Sequence, residues 1–246
     1  MRTTWLAAVA GVMVSGVAAS ARADDREAAV AVVEKAIKAH GGEEALARSH
    51  ILSRTGAGNM SLSGTNVAFT EDTAWSLPDR IRMTLDITKG ARVTLIVNGD
   101  KGWQAVGGAV IDLGKAKLEE AREELNVLWI STLTPLLKNP YTLAPIPDRT
   151  IGGSPAAGVK VSAKGHADIN LYFDKHTNLL VRIDCRAHVE GLLVNKSYVL
   201  SDYQDVDGVK LPAREVQLLE GKKFIERTSA AYKLLSRTDD ATFSKP

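Results

Sequence analysis

Five histidines are the first candidates for chemistry: His40, His50, His166, His176 and His188. No two of them make the H-E-x-x-H spacing that sets two imidazoles on one helix face, and none forms a close metal-ligand pair. His40 falls at the C-terminus of a predicted helix, where an imidazole is usually structural. His166 and His176 fall in predicted turns, and His188 on the polar face of a predicted strand. Ser154 sits in Gly153-Ser154-Pro155-Ala156-Ala157-Gly158, which is not G-x-S-x-G, and Pro155 prevents the strand–turn–helix context of a nucleophile elbow. Asp205-Val206-Asp207-Gly208 matches only part of a calcium loop. Its first ligand position would be Tyr203 and its last Arg214, so a strand-end turn explains it better. Glu119-Glu120 and Glu123-Glu124 read as the solvated face of a helix. The chain contains neither a Walker loop nor G-x-G-x-x-G. Cys185 alternates with Val181 and Ile183, the pattern of a buried strand residue, and as the lone cysteine it excludes an internal disulfide. The expectation is a protein without catalytic residues, metal or cofactor. Trp75, Trp103 and Trp129 flank a predicted helix–sheet seam, where core packing is favoured over a place on a cavity rim.

The address of the protein is read from its first residues. Met1-Arg2, an uncharged run from Thr3 to Ala21 and the small-x-small exit Ala21-Arg22-Ala23 are the three parts of a secretory signal. The run is rich in Ala, Ser and Gly, too weakly apolar for a membrane anchor, and no cysteine stands at the exit to carry a lipid. Residues 1–23 are therefore expected to be a cleaved signal peptide and 24–246 a single domain. Removing the two arginines of the leader takes Lys+Arg from 31 to 29, equal to Asp+Glu, so the mature surface is near neutral and has no electrostatic pull toward nucleic acid.

The elements that must position any site follow from periodicity. Asp24-Asp25 is a good N-cap for a helix to His40, with Val30, Val33 and Ile37 on one face and Gly41-Gly42 as its stop. Glu43 to Arg48 gives a short second turn of helix. From Ile51 the period becomes two. Ile81, Met83, Leu85 and Ile87 alternate with polar residues, as do Val93, Leu95 and Val97, and Asn98-Gly99-Asp100 is a hairpin turn. Further strands read at about 101–106, 158–164, 168–174, 179–190, 194–204, 209–219 and 222–235. Between the two runs of strands, Lys115 to Trp129 is an amphipathic helix with Leu118, Ala121, Leu125 and Leu128 on its apolar face. An apolar stretch follows to Leu137, and Pro145, Pro147 and Gly152-Gly153 read as a linker. The fold class is α+β: one antiparallel sheet of about 11 strands with one apolar face. Helices too few to cover that face would leave an apolar cavity.

Several phrases, in order along most of the mature chain, resemble the periplasmic lipoprotein carriers and lipoprotein-sorting proteins of the LolA/LolB-like superfamily. Leu77-Pro78-Asp79-Arg80-Ile81-Arg82-Met83 is similar to a strand start in that family, though its arginine follows the proline rather than preceding it. Val97-Asn98-Gly99-Asp100-Lys101-Gly102-Trp103 and Leu171-Tyr172-Phe173-Asp174-Lys175-His176-Thr177-Asn178-Leu179-Leu180 resemble two of its hairpins. Asp202-Tyr203 with Gly208-Val209-Lys210-Leu211-Pro212 and the closing Phe243-Ser244-Lys245-Pro246 complete the likeness. The resemblance implies a highly curved, open half-barrel with helices covering its concave face, and an arginine that locks the helical lid, for which Arg54 is the candidate.

The resemblance and the apolar face together lead to an expected function: a non-enzymatic periplasmic carrier or sensor, soluble after cleavage, that binds lipid, lipoprotein acyl chains or another apolar ligand. Membrane-bound donor and acceptor proteins would be its partners. The candidate cavity residues are Ile81, Met83, Leu85, Val93, Leu95, Val97, Leu125, Leu128, Trp129, Leu171 and Phe173, acting by apolar burial. The alternative is a scaffold or partner-binding module whose concavity is plugged by its own helices. A hydrolase is the third reading and would need converging polar side chains in one cleft.

Overall fold

The computed structural model describes residues 17–246 apart from residues 63, 89 and 139, with side chains from residue 24 onward. The expected leader therefore lies mostly outside the described residues. Helix α1 (Val17–Ala39) runs unbroken past Asp24-Asp25, which are not its cap. Nothing between Val17 and Asp24 is a Pro or Gly, so the helix propagates through. α2 (Glu43–Arg48) follows after Gly41-Gly42.

All thirteen strands form one antiparallel sheet. The first group comprises β1 (Ile51–Leu62), β2 (Thr65–Ser76), β3 (Arg80–Ile87), β4 (Ala91–Asn98), β5 (Lys101–Val106) and β6 (Ala109–Asp112). Helix α3 (Lys115–Ser131) and a 3-10 turn at Thr134–Leu137 interrupt the sheet. The chain then resumes with β7 (Thr142–Ile151), β8 (Ser154–Ser162), β9 (Ile169–Asp174), β10 (Leu180–Val189), β11 (Leu192–Val206), β12 (Val209–Leu219) and β13 (Lys222–Leu234). Every sheet neighbour is a sequence neighbour except β1 and β13, the join that makes two meanders into one sheet from β6 to β7. β6 and β7 do not pair with each other, so the sheet is open.

Two strands were not expected. β7 occupies the segment read as a Pro-rich linker. It lies at the margin of the sheet, and a margin strand tolerates Pro145 and Pro147 because its outer N–H groups need no partner. β6 is only four residues long, too short for a period-two signal. The Asp207-Gly208 turn behaves as read. Both residues have positive φ, 50° and 85°, joining Val206 to its partner Val209 by the primed turn that matches strand twist.

The helices cover the concave face unevenly. α1 packs chiefly on β7 and β8. There Val33, Val159, Leu171 and Phe173 form a core exposed by no more than 2%. α3 crosses the sheet and touches β4 on one side and β10 on the other. On the outer face the C-terminal turn Asp240–Phe243 packs on β3 and β4. Phe243 is fully buried there, and the Arg80 guanidinium lies over its ring at 5.2 Å.

Candidate functional site

Beneath α3, between the β1–β5 and β10–β13 portions of the sheet, lies a cavity of about 530 Å³. Its size is that of a small-molecule site. Its lining follows from strand periodicity, because alternate residues of each strand face inward. Ile81, Met83 and Leu85 of β3 and Val93 and Leu95 of β4 face it, each pair standing directly opposite across the ladder (Met83 with Leu95, Leu85 with Val93). Leu125 and Leu128 of α3 face it from above. His40 and Leu46, both buried, bound it near α1 and α2, and Glu190 and Phe224 near the tips of the β10–β11 and β12–β13 hairpins. Five of the six exposed large apolar side chains lie at or beside hairpin tips of that same sheet end: Leu62, Val106, Ile111, Leu192 and Leu193.

Four candidates lie elsewhere. Val97, at the far end of β4 from those tips, is fully buried. Leu171 and Phe173 are in the α1 core. Trp129 turns away from the cavity and meets His50 edge-on, with ring centroids 4.7 Å apart. Trp75, read as core, is buried and also lines the cavity.

Of the acidic residues of α3, Glu119 is solvated as read, whereas Glu120, Glu123 and Glu124 reach the sheet. Glu120 Oε1 accepts from the Gly191 amide at 2.7 Å, and Glu124 accepts from Lys196 Nζ and from the Tyr198 hydroxyl, both at 2.6 Å. Glu123 reaches the His188 Nδ1 at 3.4 Å. The helix is thus fastened by its polar side to β10 and β11 while its apolar side roofs the cavity. Partial burial opposes the charge on Glu120, but the Gly191 amide and Lys117 prevail and hold its carboxyl below the usual range.

The polar floor was not foreseen. Glu71 of β2 is buried and accepts two hydrogen bonds from Arg227 of β13, at 2.5 and 2.7 Å. Arg227 also donates to Glu215 of β12 at 2.8 Å, and Arg54 Nε of β1 lies 2.7 Å from Glu71. The side chain of Glu71 is fully shielded, that of Arg227 is 5% exposed and that of Arg54 12%. Gly56 and Gly58 make room for this pair across β1. A Cβ on Gly56 would stand 2.7 Å from the Ser229 carbonyl and 3.0 Å from Glu71, and one on Gly58 would meet the Glu226 carbonyl at 2.1 Å. Burial alone would raise the Glu215 carboxyl; Arg227 and Arg54 overcome it and hold it at about 2. The signal in the sequence was the face itself. Glu71 alternates with Phe69, Thr73 and Trp75, and Arg54 with Leu52, so charges stand where the period calls for apolar residues. Arg54 meets Glu71 and the Trp75 ring, at 5.4 Å, rather than a lid helix.

The remaining candidates have structural roles. Buried His40 donates from Nδ1 to the Ala36 carbonyl at 2.8 Å, and its Nε2 faces the Leu180 amide of β10 at 3.5 Å. His50 pairs with the Thr134 hydroxyl at 2.8 Å. Cys185 is buried, which pushes its thiol up to about 12. Asp205 accepts from the Gly208 amide at 2.9 Å, completing the turn. Among the described residues no group of three or more His, Cys, Asp or Glu could hold a metal, and no helix is long and apolar enough to cross a membrane.

The chain has the LolA/LolB-like fold: an open, one-sheet antiparallel scaffold with a few helices on it. Solved structures similar to it include a DUF1329 family protein from Desulfovibrio piger, at TM-score 0.57 and 12% identity over 88% of this chain and 97% of that one. A LolA superfamily protein from Nitrosomonas europaea is similar at TM-score 0.53 and 11% identity, again over 88% and 97%. An outer membrane lipoprotein-sorting protein domain from Vibrio parahaemolyticus gives TM-score 0.53 and 9% identity over 86% and 97%. No protein-family model and no curated protein matches the chain.

Proposed function

We propose that the protein is a periplasmic, non-enzymatic carrier or sensor that holds lipid, lipoprotein acyl chains or another apolar ligand in the cavity beneath α3. The observation that carries this reading is the cavity itself. The helices stop short of covering the concave face, and what they leave is walled by Ile81, Met83, Leu85, Val93, Leu95, Leu125 and Leu128. Hydrocarbon moved there from water gains about 2.5 kcal/mol per 100 Å² of surface removed. The leader-like first 23 residues support export, and the fold shared with a lipoprotein-sorting domain supports a carrier over a catalyst. The exposed apolar tips, Leu192 and Leu193 among them, suit contact with membrane-bound donor and acceptor proteins at the cavity's end.

A cavity of this size supports the carrier reading over that of a scaffold plugged by its own helices. The test is lipid mass spectrometry on protein purified from its native compartment, together with titration of the delipidated protein with a fluorescent fatty acid. Co-purified lipid and saturable binding are expected. Protein that carries no lipid and binds no probe would sink the proposal.

A further inference from the structure

The strands that line the cavity give its length. Met60 and Leu52 of β1 both face it, eight positions apart, as do Phe224 and Tyr232 of β13, and on β2 the lining runs six positions from Phe69 to Trp75. At about 3.3 Å per residue the chamber is about 20–26 Å long. A volume of about 530 Å³ spread over that length leaves a mean cross-section of about 20–27 Å².

Hydrocarbon has a comparable gauge. An apolar protein cavity of about 150 Å³ takes the six carbons of benzene, or about 25 Å³ per carbon. An extended zigzag chain advances about 1.2 Å per bond, since the three backbone bonds of a residue span at most about 3.3–3.6 Å. One extended chain is then about 20 Å² in section. The chamber therefore has the width of one chain, and its volume is that of about 20 carbons. Such a chain extends to about 24 Å, so length and volume agree.

The two ends differ. Leu46, Leu52, Trp75 and His40, none more than 4% exposed, close the end at α1 and α2. At the other end stand exposed Glu190, half-buried Phe224 and Lys117, whose side chain is 54% exposed. Between them the buried charges are spent on one another, Arg227 on Glu71 and Glu215 and Arg54 on Glu71. What enters beneath α3 is hydrocarbon, and a polar head stays in water at the hairpin tips. We propose that the cavity takes one linear acyl chain of up to about 20 carbons, methyl end first toward Trp75. The substrate is then a single-chain lipid, a fatty acid or a lysophospholipid, rather than a lipid that must bury two or three chains together. This rests on the carrier reading and names its substrate class.

The experiment uses the full mature chain, delipidated, and titration calorimetry below the micelle concentration of each lipid. Palmitoyl lysophosphatidylcholine and dioctanoyl phosphatidylcholine share a headgroup and the same count of acyl carbons, in one chain or in two. The single-chain lipid should bind at least about 100-fold more tightly, because each methylene left outside costs about fourfold. Along a series of lysolipids from about 12 to about 24 carbons, affinity should climb about fourfold per methylene to about 20 carbons and then level off. Ser131→Phe sets a ring into the cavity from the end of α3 away from the hairpin tips, and should move that plateau down by about six carbons, the volume of the ring. Palmitate should bind with a stoichiometry of one. Its affinity beside that of the palmitoyl lysolipid shows which source supplies the chain, and either order upholds the one-chain limit. Equal affinity for the one-chain and two-chain lipids, two palmitates per protein, or a series with no plateau overturns the limit and leaves the carrier reading standing. If no lipid binds in any arm, the carrier reading falls and the limit with it.

Discussion

Replacing Arg227 by Met probes the floor of the cavity most directly. The side chain is 5% exposed and holds two carboxylates, one fully shielded and one 16% exposed. Its loss leaves Glu71 facing Arg54 alone, in poor geometry, and Glu215 with no cation in contact. Removing one member of a buried pair costs about 3–5 kcal/mol, against a total stability on the order of 5–15 kcal/mol. With a urea slope of about 2.5 kcal/mol per M, the midpoint should fall by roughly 1–2 M. Acid titration gives an independent measure. Glu215 is held at about 2 instead of its ordinary 4.5, so its contribution is complete above pH 4.5 and is lost as pH falls toward 2. That difference corresponds to roughly 3 kcal/mol, the same order as the mutation. The parent should therefore lose stability steeply between pH 4.5 and 2, and Arg227→Met much less so. The double variant Glu71→Met with Arg227→Met should recover most of the loss, because Arg54 and Glu215 remain to balance each other. A midpoint for Arg227→Met within about 0.3 M of the parent, or an unchanged acid limb, would refute the reasoning.

Filling the cavity from α3 with Ala121→Trp should weaken binding of a fluorescent fatty acid by at least about tenfold while the urea midpoint moves little, since the side chain enters space rather than packed core. Glu124→Ala removes the acceptor for Lys196 and for buried Tyr198, and should cost about 1–3 kcal/mol in chemical denaturation and loosen α3 in hydrogen exchange. Phe243→Ala, at a fully buried outer-face position, should cost about 3–5 kcal/mol in the same denaturation assay without changing ligand affinity.

What the sequence revealed follows from the range over which each signal acts. The alternation of Ile81, Met83 and Leu85 and the Asn98-Gly99 turn are local, and β3, β4 and the hairpin after β4 stand where they pointed. The inward face of these strands was legible for the same reason. Which inward residues meet open space depends on which helix lies above, and that is a long-range fact. Leu171 and Phe173 share the apolar pattern of Leu85 and Val93, yet α1 covers them. The fastening of α3 was hidden because Glu120 and Glu124 look solvated until β10 and β11 arrive beside them. The floor charges escaped attention because Arg54, Glu71, Glu215 and Arg227 pair across four strands whose adjacency depends on the single β1–β13 join.

The two free margins of the sheet have a further consequence. A row of unpaired backbone amides is a template onto which another chain can add strand after strand, and thirteen paired strands behind it would make that template rigid. Here one margin carries Pro145 and Pro147, which offer no N–H, and the other is a four-residue strand beside the Lys245–Asp112 ion pair. Both ends of the ladder are poor seeds for edge-to-edge polymerisation. Substituting the two prolines by threonine should turn an inert border into a sticky one, so the residues that disguised β7 as a linker are also those that keep neighbouring molecules from zipping together.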